Sequence, residues 1–393
     1  MSSHANSGEL EYGSGFSLVT GGPLYRLYVR TRLAGPALEP MRRLIAGAAL
    51  LCWLPSLLLS LSEGRFDSGA EIPFLFDVEA HIRFLVAVPL LLGAETMVHR
   101  LLRPVAWQFV ERGIVSEADR GRLETLIESA TRLRNSVAIE LLLLLSVGLG
   151  YWLSERNIHG VSTWYSDPAG RLTAAGYWNA LVSLPIARFL LLRWYFRISV
   201  WYGFLLSVRA LPLHLNLFHP DRAGGLGFLA DSVPAFAPVL IAQSAIVSAT
   251  IANRILHAGM TLPDFNVQIL GVIIFLMLTV LTPLCFFINP LMAARWTAIR
   301  DFGTLASRYV EEFRRKWLQN ETGKSEPLLG SPDLQSLADI GSAYEMVSGT
   351  RALPFTNRTI ARLAIALLLP MAPLTLTMIP LRKMIGGAIK LLL

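Results

Sequence analysis

Residues 176–213 read GYWNALVSLPIARFLLLRWYFRISVWYGFLLSVRALPL, and whether this run crosses a membrane once or twice decides the side on which every later segment lies. It is mostly apolar and long enough for one extended helix or for two spans, since a helical crossing takes about 20 residues. Charge separates the two readings. Two crossings would put the loop holding Arg295, Arg300, Arg308, Arg314, Arg315 and Lys316 on the outer side, the reverse of the usual excess of Lys and Arg on the cytoplasmic face. One long span is therefore expected, ending in the cytoplasm or along its interface.

Upstream, Leu44 to Ser62 has the length of a first span. Arg26, Arg30, Arg32, Arg42 and Arg43 precede it, and Glu63, Asp67, Glu71, Asp77 and Glu79 follow it, so a cytoplasmic N-terminal segment, 1–43, is expected. A second span over 82–102 leads into a basic loop, 103–135, in which Ser116 followed by Asp119 three residues later signals a helix start. A third span over 136–153 is followed by Trp164, Tyr165, Tyr177 and Trp178, the composition of an outer aromatic belt. Downstream, spans are expected over 234–255 and 267–292, then a helical cytoplasmic segment, 291–357. That segment holds a linker at 320–330 and a new helix start at Ser331-Pro332-Asp333. A last span over 359–381 and a tail to 393 complete an all-α, polytopic transmembrane helix bundle of about seven spans with cytoplasmic helices.

Composition agrees. The chain is 53% hydrophobic and 16% charged, with a mean hydropathy of +0.49, against about 25% charged residues in soluble domains. The net charge of +7 follows from arginines between apolar segments, where membrane orientation already accounts for them, so nucleic acid is not an expected partner. Cys52 and Cys285 both fall in apolar segments, which offers neither a disulfide framework nor a thiolate zinc site. His214, His219 and His257 lack metal-ligand spacing, and no metal or cofactor is expected. The opening residues, 1–22, carry no signal-peptide core, so the first span is expected to direct insertion, into a bacterial inner membrane.

Charged residues inside spans are functional-site candidates by default. Glu95, Glu140, Arg188, Arg193 and Arg197 are such residues. Counting from the outer ends of their spans matches Glu95 with Arg188 in depth near the midplane, and Glu140 with Arg193 or Arg197 nearer the cytoplasm. Two readings follow: ion pairs that fix helix register, or a polar path for a proton or ion. Prolines at 55, 89, 185, 238, 283 and 370 each free a backbone carbonyl that a neighbour must satisfy.

The one compact polar knot is His219-Pro220-Asp221-Arg222-Ala223-Gly224-Gly225-Leu226-Gly227-Phe228. It lacks the Gly-Lys-Ser/Thr ending of a P-loop and the helical hairpin of a J-domain. It is expected either as a tight turn tied down by Asp221 and Arg222, or as a site where His219, Arg222 and the amides around Gly224, Gly225 and Gly227 hold a phosphate or an anionic lipid headgroup.

The segments Phe218 to Leu229, Ser331 to Gly341, Leu353-Pro354-Phe355 and Pro370 to Leu381 resemble those of an uncharacterised family of bacterial integral membrane proteins. The resemblance implies an inner-membrane location and a helical architecture, and no activity. Three functions are weighed: a channel or transporter with a path lined by the midplane charges; a scaffold or sensor that recruits a partner through its cytoplasmic helices; and a protein that binds or modifies lipid headgroups at the knot. The partners expected are the bilayer itself, anionic headgroups at the knot and, as an open arrangement, a second copy of the chain.

Overall fold

The structure is a computed structural model that describes residues 17–19, 21, 41–154, 161–319 and 330–378. Most of the N-terminal arginine-rich segment, the linker after Gln319 and the tail from residue 379 lie outside the described residues, as does the side of the C-terminus. Ten longer helices are present among the described residues: α1 Arg42–Ser62, α2 Val78–Glu111, α3 Arg120–Arg134, α4 Val137–Ser154, α5 Ala174–Arg209, α6 Ala237–Ala258, α7 Leu262–Cys285, α8 Ile288–Phe313, α9 Pro332–Ser348 and α10 Asn357–Met378. No strand occurs among them, only isolated bridges. Six helices, α1, α2, α5, α6, α7 and α10, are long and apolar enough to cross a membrane, and a seventh crossing exists if α3 and α4, bent by 41° at Asn135-Ser136, count as one span. The run that opened the sequence reading is one unbroken helix, α5, of 36 residues.

The outward faces are apolar. Leu50, Leu54 and Leu58 of α1, Leu141, Leu142 and Leu145 of α4, and Val267, Leu270 and Ile274 of α7 are all exposed, and so continuous an apolar surface needs lipid around it. Inside, α2, α5 and α6 carry more buried residues than any other helices, with α1, α4, α7 and α10 packed around them.

Proline shapes these helices, and neighbouring helices satisfy what it breaks. Pro55 of α1 has no N–H to bond the carbonyl of Leu51, which accepts instead from the Trp178 indole of α5 at 3.2 Å. Pro283 of α7 frees the carbonyl of Thr279, which accepts from the Tyr202 hydroxyl at 3.0 Å. The end of α10, Leu369–Met378, is a 3₁₀ helix, so Pro370 and Pro373 leave the carbonyls three residues earlier, of Leu367 and Pro370, without amide donors. Ser244 and Ser248, one turn apart on α6, donate to those two oxygens at 2.6 and 2.8 Å. A fourth device recurs in α2 and α5. Each contains one π turn, Arg83–Ala87 and Asn179–Ser183, and each turn ends two residues before a proline, Pro89 or Pro185. The ring of each proline crowds the carbonyl four residues back, at Leu85 or Leu181, and the widened turn relieves that clash.

The bundle has two ends. At the knot end, His214 donates its amide to the Ile114 carbonyl at 2.8 Å, which joins the segment after α5 to the segment after α2. At the far end, Glu63 accepts from the Ala174 amide at 2.7 Å, Arg65 donates to the Thr163 carbonyl at 2.8 Å, and Trp164 packs edge-on against Phe74. Beyond α7 the chain breaks at Phe286-Phe287 and continues as α8, which pairs with α9 to form a hairpin at the knot end.

Candidate functional site

Three helices, α2, α4 and α5, bring the charges together. Glu95 of α2 accepts through one oxygen, Oε1, from Arg193 at 3.0 Å and Arg197 at 2.8 Å, both on α5. Glu140, in the first turn of α4, lies 3.5 Å from Nε of Arg193. The side chains of Glu95, Arg193 and Arg197 are 2–4% exposed and that of Glu140 is 11% exposed. Two carboxylates and two guanidinium groups thus form a buried, mutually paired cluster, with the Arg134 guanidinium beside it. Arg197 also lies 4.8 Å over the ring of Trp194, whose indole donates to the Leu91 carbonyl at 2.8 Å.

The pairing of Glu140 with Arg193 agrees with the depth count, whereas that of Glu95 with Arg188 does not. Helix side chains lean toward the N-terminus, and arginine is long, so on parallel helices an arginine reaches back to a carboxylate nearer the start than itself. Glu95 accordingly meets Arg193 and Arg197, and Arg188 is left to the far end.

Depth also differs from expectation. Thr96 donates to Met41, which precedes α1, and Glu140 opens α4, so the cluster is level with the knot-side ends of both helices. By the rise of an α-helix Glu95 stands roughly 26 Å along α2 from Val78, near the limit of an apolar layer of about 30 Å. The charges are therefore not at mid-depth. The space beside them, bordered by Arg134, Glu140, Arg193 and Arg197, is about 10 Å³, room for one water at most.

At the far end lies a larger cavity of about 240 Å³, bordered by Asp77, Glu79, Arg83, Asn179, Arg188 and Asn253 among others. Asp77 is fully engaged: it accepts from Asn253 at 2.7 Å, Trp164 at 2.7 Å and the Ala80 amide at 3.1 Å. Arg83 is paired with Glu79 one turn away. Arg188 has no ion pair or hydrogen bond among the described residues.

The knot is organised by Asp221. Its carboxylate accepts from the amides of Ala223 at 2.8 Å, Gly225 at 3.2 Å and Gly227 at 2.8 Å, and lies 3.1 Å from Nδ1 of His219, which itself accepts from the Asp221 amide at 3.3 Å. Burial raises its pKa, but the three amide bonds and His219 outweigh that and hold it below the usual carboxylate value. Of the two arrangements expected here, a phosphate cradle and a tight turn tied down by Asp221 and Arg222, the amides follow the second as far as Asp221 is concerned: they are filled by its carboxylate, and Arg222 is exposed. Gly225 sits at φ 91°, a conformation that costs a side chain dearly, and a Cβ on Gly227 would stand 2.8 Å from Asp221. Around this hub Arg112 donates to the Gly225 carbonyl at 3.2 Å, the Arg351 amide to the Arg222 carbonyl at 2.8 Å, and the Arg351 guanidinium to the Asp221 carbonyl. Phe228 packs edge-on to Phe109, which stacks on Phe287. The knot thus ties the end of α2, the α7–α8 break and the segment after α9 into one joint.

No protein-family model, curated protein or solved structure matches the chain. Its chemistry is read from geometry alone. Among the described residues no group of His, Cys, Asp and Glu could hold a metal. Sequence reading did not single out Asp77, Arg83, Asn179 or Asn253, the residues around Arg188. The equal spacing of Arg83 to Pro89 and of Asn179 to Pro185 was the available signal, since a proline inside a span marks a local widening where a polar side chain gains room.

Proposed function

We propose that the chain is a scaffold or sensor of a bacterial inner membrane, with the knot end in the cytoplasm, and that it recruits a protein partner through the α8–α9 hairpin. The observation that carries this reading is the hairpin's uncovered surface on a fixed base. Of the residues of α8 only Leu291 is buried, while Trp296, Leu305, Val310 and, just beyond, Leu318 are at least half exposed. So much exposed apolar surface marks an interaction site. The hairpin is rigid at both ends. Lys316 and Trp317 bond Asp333 at 2.6 and 3.1 Å at its tip, and Arg295 donates to the Ser348 carbonyl at 2.6 Å at its base. Leu217, Leu291 and Val347 pack that base against the knot.

The channel or transporter reading draws less support, because the buried charges are mutually paired, nearly dry and off the middle of the bundle. As static pairs they fix the register of α2, α4 and α5. The lipid-headgroup reading loses its amide cradle to Asp221. Photo-crosslinkers at Trp296, Leu305 and Val310 in cells test the proposal. A discrete protein adduct from these positions, absent from crosslinkers at Leu142 on α4, is expected. Adducts from neither, together with ion flux in liposomes that Glu95→Gln abolishes at matched folded protein, would replace it by the transport reading.

A further inference from the structure

We infer that the far-end cavity is a binding site for a small zwitterion of amino-acid size, whose carboxylate is held by Arg188 and whose ammonium faces Glu79 and Asn179. The inference stands apart from the hairpin and needs no partner there.

Three observations meet in this cavity. The first is Arg188. A guanidinium in a membrane span is costly unless paired, yet among the described residues this one has no hydrogen bond and no carboxylate within ion-pair distance, while it borders a cavity of about 240 Å³. Its planar fork suits a carboxylate held by two parallel bonds. The second is Asn179. Its residue is 7% exposed and its side-chain oxygen has no hydrogen-bond partner among the described residues, a cost of about 1–3 kcal/mol when a polar atom is buried unsatisfied. A bound N–H donor would remove that cost. The third is the backbone: Arg83 and Asn179 each open a π turn, and both border this one cavity.

The charge pattern selects the ligand class. Asp77, Glu79, Arg83 and Arg188 sum to zero, so a ligand with no net charge enters without leaving an uncompensated ion in a low-dielectric site. The charges are also divided. Asp77 is saturated by Asn253, Trp164 and Ala80 and Arg83 by Glu79, which among the described residues leaves Arg188 as the cation without a partner, and the second oxygen of Glu79 with Asn179 as acceptors without donors. A phosphate monoester would bring a second negative charge against Asp77 and Glu79, whereas a carboxylate with an amine on the next carbon meets both kinds of free group. Leu172, Ala180 and Leu184 add an apolar wall suited to a short aliphatic side chain. Size agrees, because the volume falls just below the range of about 300–1,000 Å³ of drug-sized pockets.

The test is calorimetric titration and thermal melting of the full chain in nanodiscs with glycine, L-alanine, L-serine and L-leucine, and with acetate and methylamine as half-ligands. Saturable binding of at least one amino acid is expected, with either half-ligand about tenfold weaker or worse, since each makes only part of the charged contacts. Arg188→Gln should weaken amino-acid binding about 10- to 100-fold while melting like the parent without ligand. Arg188→Lys, which keeps the charge and loses the fork, is the second variant should the first not fold, and it too should bind more weakly. Glu79→Gln should weaken the amino acids without weakening acetate, because it removes the ammonium's partner and leaves Arg83 as a further cation in the cavity. No binding by any of the four amino acids, acetate binding as tight as theirs, or full affinity in the Arg188 variants would each overturn the assignment.

Discussion

Glu95 holds Arg193 at 3.0 Å and Arg197 at 2.8 Å through a single carboxylate oxygen, so one acid fixes two arginines a helical turn apart on α5. Removing that charge leaves two guanidinium groups buried with only Glu140 nearby. Glu95→Gln should cost about 3–5 kcal/mol, the usual cost of breaking a buried pair from one side. Arg188→Gln, which breaks no ion pair, should change stability by less than about 1 kcal/mol. Unfolding curves in one detergent decide it, and equal losses in the two variants would refute the register-lock role.

Ser244 and Ser248 substitute for amides that Pro370 and Pro373 lack. Ser244→Ala should cost about 0.5–2 kcal/mol, the span measured for hydrogen bonds between membrane helices. The loss should shrink in a Pro370→Ala background, where the restored amide can reach the Leu367 carbonyl. A double-mutant cycle measures this coupling, and strict additivity would contradict the account.

Acid should open the knot, and only at low pH. Asp221 has its folded pKa held below the ordinary 3.8, so its contribution is present above the unfolded pKa and is lost as pH falls through the still lower folded value. Protection of the Ala223, Gly225 and Gly227 amides against hydrogen exchange should hold to about pH 4 and decline below it. In Asp221→Asn the protection should be weak at every pH. Protection lost already above about pH 5 would show that a group other than Asp221 controls the knot.

Gly227→Ala should loosen the same joint, because its Cβ would stand 2.8 Å from Asp221. Limited proteolysis after Ser348 should speed up relative to the parent, while far-end residues such as Arg65 and Thr163 keep their exchange protection. Uniform destabilisation of both ends would show that the knot is not a local joint.

Orientation is open to direct labelling. With Cys52 and Cys285 replaced, a cysteine at Ser68 should react with an impermeant maleimide in spheroplasts, and one at Ser307 only in inverted vesicles. Reaction at Ser307 in spheroplasts and at Ser68 only in inverted vesicles would reverse the charge-based assignment.

Much of the bundle was legible in the sequence because apolar length and charge bias act locally along the chain. The spans expected at 44–62 and 234–255 correspond closely to α1 and α6, while the one expected at 136–153 coincides with α4, which counts as a crossing only together with α3. The span expected to reach residue 292 ends at Cys285 instead, because the Phe286-Phe287 break separates it from α8. Apolar residues continue through that break, so hydropathy alone carried no sign of it.

What the sequence by itself determined is therefore the presence and approximate placement of the apolar helices and that charges within them need partners, for these follow from the cost of exposing backbone and charge to lipid. Which partner each obtains was decided only in the folded bundle. Side-chain lean and length moved Glu95 from Arg188 to Arg193 and Arg197, and the closeness of Asp221 filled the glycine amides from within the same loop. Two prolines six residues beyond Arg83 and Asn179 widened both helices at one cavity. Each outcome depends on the relative rotation and depth of helices far apart in sequence, quantities set by packing and absent from any single segment.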